Sequence, residues 1–346
     1  MTWLNAPLSD EQHEVIHLVR SVVPGLTGLA GADGIDDPSA VAAAREALAE
    51  SGIWSIGIDD ELGGGGASFD LRQAAFIALG ATTPSLALAS AHAHVATLVV
   101  SQASALDGLC AEIVEGSRPV CIVEIDDPHV RLEVGGDRVH GVIGRLDPAG
   151  TDPAVIVLDG DDAAWVLVPG SITNSAAVRR TGLAGAMTIS AVIDASGENL
   201  HRIEGVDLPG IRSSLYAAGS AIAAGIAVAA AEGALEYSRE RVQFGAALTA
   251  LPTVRAALVE QSSGAVESIA LVLTASPSRA DRAAAVLRDN CERAISIAGA
   301  ALQSHGGYGY LDDYDVERLL RDAVSLRAAT GASTVLHRVA NALVTS

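Results

Sequence analysis

The hydrophobic period changes twice along this chain of 346 residues, and that alternation limits the folds open to it. From residue 1 to about 117, apolar side chains such as Val15, Ile16, Leu18, Val19, Val22 and Val23 recur at helical spacing. Leu8-Ser9-Asp10-Glu11 opens the first helix, with Ser9 as N-cap and the acids where the helix dipole favours them. Further helices are expected at about 38–51, 69–79 and 85–101. Between them stand four successive glycines, Gly63 to Gly66. No strand-to-helix signature surrounds them, so they read as a flexible turn rather than a phosphate cradle. From about Arg118 to Val206 the runs become short and β-branched, as in Val120–Val123, Ala154–Leu158 and Ala164–Val168, with Gly-Asp and Pro-Gly pairs between them. That texture predicts an antiparallel β domain. No long helical pattern alternates with those strands, which argues against a dinucleotide-binding βαβ unit. After Pro209-Gly210 helices return at about 213–241, 251–275, 279–304 and 315–327, with a last piece near 333–343. The expectation is an α+β chain with an N-terminal helical domain (1–117), a middle antiparallel β domain (118–206) and a C-terminal four-helix bundle (207–346).

Charge narrows the chemistry. All 22 basic residues are arginine, so lysine Schiff bases, pyridoxal-phosphate lysines and P-loop lysines are excluded. Against them stand 42 acids, for a net charge of −20. Such a field repels nucleic acid and anionic membrane surfaces, and an acidic ligand such as a coenzyme A ester would need a local arginine site. Cys110, Cys121 and Cys291 show neither metal nor redox spacing, which fits a reducing cytoplasm. The first residues carry no basic stretch followed by an apolar one, so no signal peptide is read. The longest apolar run, about Leu215 to Leu235, is mostly alanine and glycine, interrupted by Ser220 and Glu232. It reads as a closely packed interior helix, since membrane spans are richer in Leu, Ile and Phe.

Two segments of the last helical region are specific. One is Arg241-Val242-Gln243-Phe244-Gly245. The other is Gln303-Ser304-His305-Gly306-Gly307-Tyr308-Gly309-Tyr310, which continues to Glu317-Arg318-Leu319-Leu320-Arg321-Asp322-Ala323. An arginine fork at a helix end suits a phosphate, a neighbouring ring can cover a flat heterocycle, and glycines let backbone amides approach a ligand. Taken singly, these residues also read as a surface arginine, a core phenylalanine and a glycine C-cap.

In order and spacing the set resembles the acyl-CoA dehydrogenase superfamily. Asp60-Glu61-Leu62-Gly63-Gly64 is a weaker echo of that family's Pro-Glu-x-x-Gly-Gly turn, and the helix–β–helix layout is similar to its fold. The resemblance implies FAD, with Arg241 on the pyrophosphate, Phe244 beside the nucleotide, and Gln303, Ser304, His305, Gly306 and Gly307 along its adenosine side. It also implies that these residues reach across a subunit interface to a neighbour's flavin.

The match fails where the reaction would occur. The family's base is a glutamate about nine residues beyond the arginine of Arg-Asp-Ala, and Thr330 stands there. An ordinary hydroxyl cannot take an α-proton in that way. Counting back from Arg241, the alternative position early in the first long helix falls on Leu215 or Tyr216. The loop Val123-Glu124-Ile125-Asp126-Asp127-Pro128 and the strand Gly141–Pro148 lack the residues, notably a tryptophan, that the resemblance would place against an isoalloxazine. The reading is therefore of a supporting subunit of a heteromeric acyl-CoA dehydrogenase, with no catalytic residue and no metal ligand of its own. A sister chain in an α2β2 assembly would supply the base and the acyl-CoA pocket. Two alternatives stay open: an active homomer with a relocated base among Glu124, Glu204 and Asp207, and a flavin monooxygenase using His92, His94 or His305. Ser304-His305 does not read as a nucleophile pair, because adjacent helical residues point apart.

Overall fold

The computed structural model describes residues 6–26, 28–31, 34–243, 245–274, 279–311, 313–337 and 339–340. Five helices open the chain: α1 (Asp10–Val22), α2 (Pro38–Glu50), α3 (Phe69–Gly80), α4 (Pro84–Val100) and α5 (Asp107–Val114). Ser9 caps α1 in a reciprocal capping box, its Oγ accepting the Gln12 N–H at 3.2 Å while Gln12 Oε1 accepts the Ser9 N–H at 2.9 Å.

Eight strands follow: β1 (Val120–Glu124), β2 (Val130–Gly135), β3 (Arg138–Leu146), β4 (Ala154–Asp159), β5 (Ala163–Leu167), β6 (Ile172–Ala177), β7 (Ile189–Ser196) and β8 (Leu200–Glu204). They form two four-stranded sheets, ordered β1-β4-β5-β8 and β2-β3-β7-β6. The second is antiparallel throughout. In the first, β1 lies parallel to β4, a departure from the antiparallel expectation. The chain leaves β1 to build the β2–β3 hairpin of the other sheet and returns in the original direction.

Alternate residues of the first sheet serve two cores. Cys121, Val155, Val157, Trp165 and Leu167 pack against Val139, Ile143, Ala191 and Ile193 of the second sheet. Val120, Ile156, Leu158, Ala164 and Val166 join the large core shared with the helices. A strand buried on both faces reads as a continuous apolar run, which is why Ala154–Leu158 shows no alternation.

The C-terminal bundle consists of α6 (Leu208–Glu240), α7 (Pro252–Thr274), α8 (Ala280–His305) and α9 (Val316–Ala329), with a short hairpin, β9 (Val242–Gln243) and β10 (Ala246–Ala247), after α6. By length and composition α6 and α7 could each cross a membrane; the apolar stretch of α6 is 83% buried inside the protein and that of α7 33%. The long alanine and glycine run is thus an interior helix, as its composition suggested.

The glycine run is a turn, but a tightly packed one. Gly64, Gly65 and Gly66 donate their amides to Asp59, Ser55 and Ile58 carbonyls at 2.8–3.0 Å. A Cβ on Gly65 would lie 2.7 Å from the Ile56 oxygen. Flexibility is therefore corrected to close backbone contact, and those amides are spent within the fold.

Candidate functional site

Arg241 caps the C-terminus of α6, its own amide donating to the Tyr237 carbonyl at 2.9 Å. Further along the chain α8 ends at His305, where Gly306 turns the backbone with φ +59°. That left-handed turn favours glycine and lets the following short 3-10 segment fold back beside α6. Between these ends lies a cavity of about 640 Å³. Arg241, Gln303, Ser304, His305, Gly306 and Gly307 all line it, so six of the seven residues singled out in the sequence converge. The seventh, Phe244, lies outside the described residues.

Each side chain has a distinct setting. Ser304 Oγ donates to Ala300 O at 3.0 Å and accepts from Gln261 Nε2 at 3.3 Å. His305 is buried, its Nδ1 is 2.8 Å from Ala301 O, and its ring stacks on Tyr237 with centroids 4.3 Å apart. Arg241 Cζ lies 4.6 Å from the centre of the Tyr308 ring, and its Nε is buried without an acceptor. Among the described residues no carboxylate comes within ion-pair distance of Arg241. Tyr237, Gln261 and Tyr308 also line this cavity and were not singled out. Tyr237 could have been found from its place one helical turn before Arg241, and Tyr308 from its place inside the glycine motif.

A second, much smaller cavity of about 140 Å³ lies where the β domain meets α4, α6 and the end of α9. Leu215, Tyr216 and Thr330, the three positions where a base was sought, line it together. Thr330 Oγ1 donates back to the Leu326 carbonyl at 2.9 Å. Glu124 reaches this cavity but is gripped by Arg212, both of whose bonds to it measure 2.8 Å. The other two candidate acids are engaged elsewhere: Glu204 is exposed and paired with Arg202, and Asp207 caps α6 by accepting the Gly210 amide at 3.0 Å. Burial pushes His92 down to about 4 and the Cys121 thiol up, so both are neutral here.

His94 has a structural task. The Gly57 amide can only donate, so His94 Nε2 accepts it at 3.0 Å, and the ring proton sits on Nδ1 facing Ser90 O at 2.7 Å. Burial holds its pKa near 4 against the ordinary 6.5. Between those values the unfolded chain takes up a proton that the folded chain excludes. The stabilisation is therefore complete above about pH 6.5 and is lost as pH falls towards 4, a difference of roughly 3 kcal/mol. We expect urea midpoints to fall over that range, and to fall less in a His94→Gln variant. An identical pH slope in the variant would refute this role.

The Glu317–Ala323 segment acts as a tie between domains. Asp322 is buried and accepts the Leu183 amide at 2.6 Å and Arg318 Nη1 at 2.9 Å. Arg321 pairs with Glu317 and donates to the Thr181 carbonyl. Leu183 sits at φ +57°, a conformation that is costly for a leucine. Asp322 thus pins the strained β6–β7 connection onto α9.

Residues 217–343 match the family described as acyl-CoA dehydrogenase, C-terminal domain. This bundle is similar to the C-terminal domain of acyl-CoA dehydrogenases. An acyl-CoA dehydrogenase of Bacillus subtilis is 32% identical over 169 residues, 45% of each chain. The chain spans about a third to just under half of the length of the curated acyl-CoA dehydrogenases and related proteins it matches. Its whole fold is that of butyryl-CoA dehydrogenase from Megasphaera elsdenii, with a TM-score of 0.80 at 21% identity over 97% of this chain and 99% of that one. Glutaryl-CoA dehydrogenase from Mycobacterium smegmatis, solved in complex with FADH2, superposes with a TM-score of 0.78 at 15% identity over 98% and 96%. The resemblance of the C-terminal region and the α+β architecture therefore hold for this acyl-CoA dehydrogenase-like chain.

Proposed function

We propose that this chain is the supporting subunit of a heteromeric acyl-CoA dehydrogenase, completing an FAD site on a sister chain. One contrast carries the reading. The clamp around Arg241 is open and holds an arginine with no ion pair among the described residues, whereas the cavity at the expected base positions is small and its carboxylates are engaged, Glu124 by Arg212, Asp147 by Arg145 and Asp127 by the His129 amide.

The two cavities answer differently to the cofactor. Ligand pockets generally hold about 300–1,000 Å³, and the clamp falls inside that range. The inner cavity, at 140 Å³, has room for about five waters at roughly 30 Å³ each, and among its lining residues the aromatic rings are Tyr216, His92 and His129. That space is far smaller than the clamp and is the less favourable setting for a flavin ring beside a thioester. The donor set at the clamp suits the other half of the cofactor: Arg241 for a diphosphate, Gln303 for adenosine polar atoms, and the amides at Gly306-Gly307 for close approach.

When bound, FAD supplies the acceptor for the hydride that leaves the β-carbon of an acyl-CoA thioester. The tasks left to this chain are to bind and orient. Arg241 holds diphosphate oxygens through its fork. Gln303 and the Gly306-Gly307 backbone position the adenosine end, and His305 fixes the turn by packing on Tyr237. The α-proton falls to a carboxylate of the sister chain, and the acyl-CoA lies in that chain's pocket. An α2β2 assembly in the cytoplasm, acting on a lipid- or steroid-derived thioester, fits this division of labour.

The test is a visible absorbance spectrum with a native mass, on the chain alone and after co-expression with a neighbouring dehydrogenase-like chain. The expected result is a colourless chain alone and one flavin per two chains in the mixed complex. A yellow homo-oligomer carrying one flavin per chain would overturn the proposal.

A further inference from the structure

Arg241 poses a problem of orientation. The chain carries 42 acids and 22 arginines, and the arginines nearest the structural joints are held by carboxylates: Arg212 by Glu124, Arg318 by Asp322, Arg321 by Glu317. Arg241 has no such partner among the described residues, and its buried Nε has no acceptor. A long side chain left in that state loses rotamer freedom only when it binds a ligand, which weakens binding.

The ring of Tyr308 meets that requirement. Arg241 Cζ lies 4.6 Å from its centroid, within the range of a cation–π contact. Tyr308 is itself braced, edge-on to Tyr314 at 6.5 Å, and Tyr314 packs in turn on His305 and Tyr237. Tyr308 is 43% exposed and lines the same cavity as Arg241. A carboxylate in this place would cancel the guanidinium charge and occupy its N–H groups. An aromatic face orients the plane while leaving the N–H fork and the charge available to an anion.

Resting on the clamp reading above, we propose that Tyr308 is a positioning residue that pre-orients Arg241 for the diphosphate of a bound adenine nucleotide. The side chain acts through Arg241 and makes no bond to the phosphates itself.

The experiment titrates ADP by calorimetry into the flavin-free complex of the full-length chain with its sister chain, the natural chain and each variant being compared in that complex. Tyr308→Phe keeps the ring and should bind within about twofold of the natural chain. Tyr308→Leu should bind about fivefold more weakly, the scale of a partly exposed cation–π contact. Phenylalanines carrying one, two and three fluorines at position 308 keep the shape while draining the ring face of negative potential, so affinity should fall step by step. A role in packing alone would leave that series flat, and a flat series overturns the inference even if Tyr308→Leu fails to fold. Equal ADP binding by Tyr308→Leu and the natural chain, with binding lost in Arg241→Ala, overturns this inference and leaves the clamp reading standing. No ADP binding by the natural chain, or full binding by Arg241→Ala, removes the clamp reading and this inference together.

Discussion

Arg241→Ala should reduce FAD affinity about a hundredfold in the mixed complex, leaving it largely colourless after gel filtration. The magnitude follows from two charge-assisted hydrogen bonds, each worth about 1.5–3 kcal/mol, which leave a diphosphate poorly paired when they are removed. A loss of about 3 kcal/mol is roughly two powers of ten in affinity. Arg241→Lys should recover only part of it, because an ammonium keeps the charge and loses the planar fork. The fold should survive both changes. Arg241 lies past the last residue of α6 and carries no ion pair among the described residues, so its removal breaks only the partly exposed contact with Tyr308. Flavin content measured by absorbance, with thermal melting as the control, separates loss of binding from loss of structure. Unchanged flavin content in Arg241→Ala would remove the central contact of the proposed function.

Gly225→Leu should abolish soluble folded protein, and Gly225→Ala should cost about 2–3 kcal/mol in urea unfolding. Gly225 of α6 faces α3 where the two helices almost touch. A Cβ there would overlap the Ile77 carbonyl oxygen and lie 2.7 Å from the Ala81 nitrogen. Across the contact, a Cβ on Gly80 would lie 2.7 Å from the Ile222 Cα. Both obstacles are backbone, so no side-chain rotation relieves them, and the helices would have to part. Separation would disturb the buried face of α6, whose neighbours Ala221, Ile222, Ala224 and Val228 are almost wholly inaccessible. Gly233, two turns further along the same helix, has nothing within 4 Å of a Cβ position. Gly233→Ala should therefore stabilise the chain by up to about 1 kcal/mol through helix propensity alone. Equal effects at Gly225 and Gly233 would show that the close crossing is not what requires glycine.

These two places differ in how far they could be read beforehand. The segments of Arg241 and Gln303–Gly307, which line one cavity, stood out because each is a short segment of particular composition at a helix end, and because the two keep a familiar order. Gly225 was legible only as part of an alanine and glycine run that predicts close packing somewhere along the helix. Which glycine meets which carbonyl depends on the crossing angle and register of α3 against α6, and neither is encoded in a local pattern.

The same division runs through the whole molecule. The order of helical, β and helical regions, the Ser9 cap and the interior character of α6 all followed from local spacing and composition. Tertiary structure alone decided that β1 runs parallel to β4, since both pairings show the same alternation of side chains. It also joined Arg212 to Glu124 across 88 residues, set His94 against the Gly57 amide, and brought Tyr308 under Arg241. Local periodicity reports which face of an element is apolar, through interactions a few residues apart. Long-range pairings depend on how those faces pack in three dimensions, where one residue of register changes every partner.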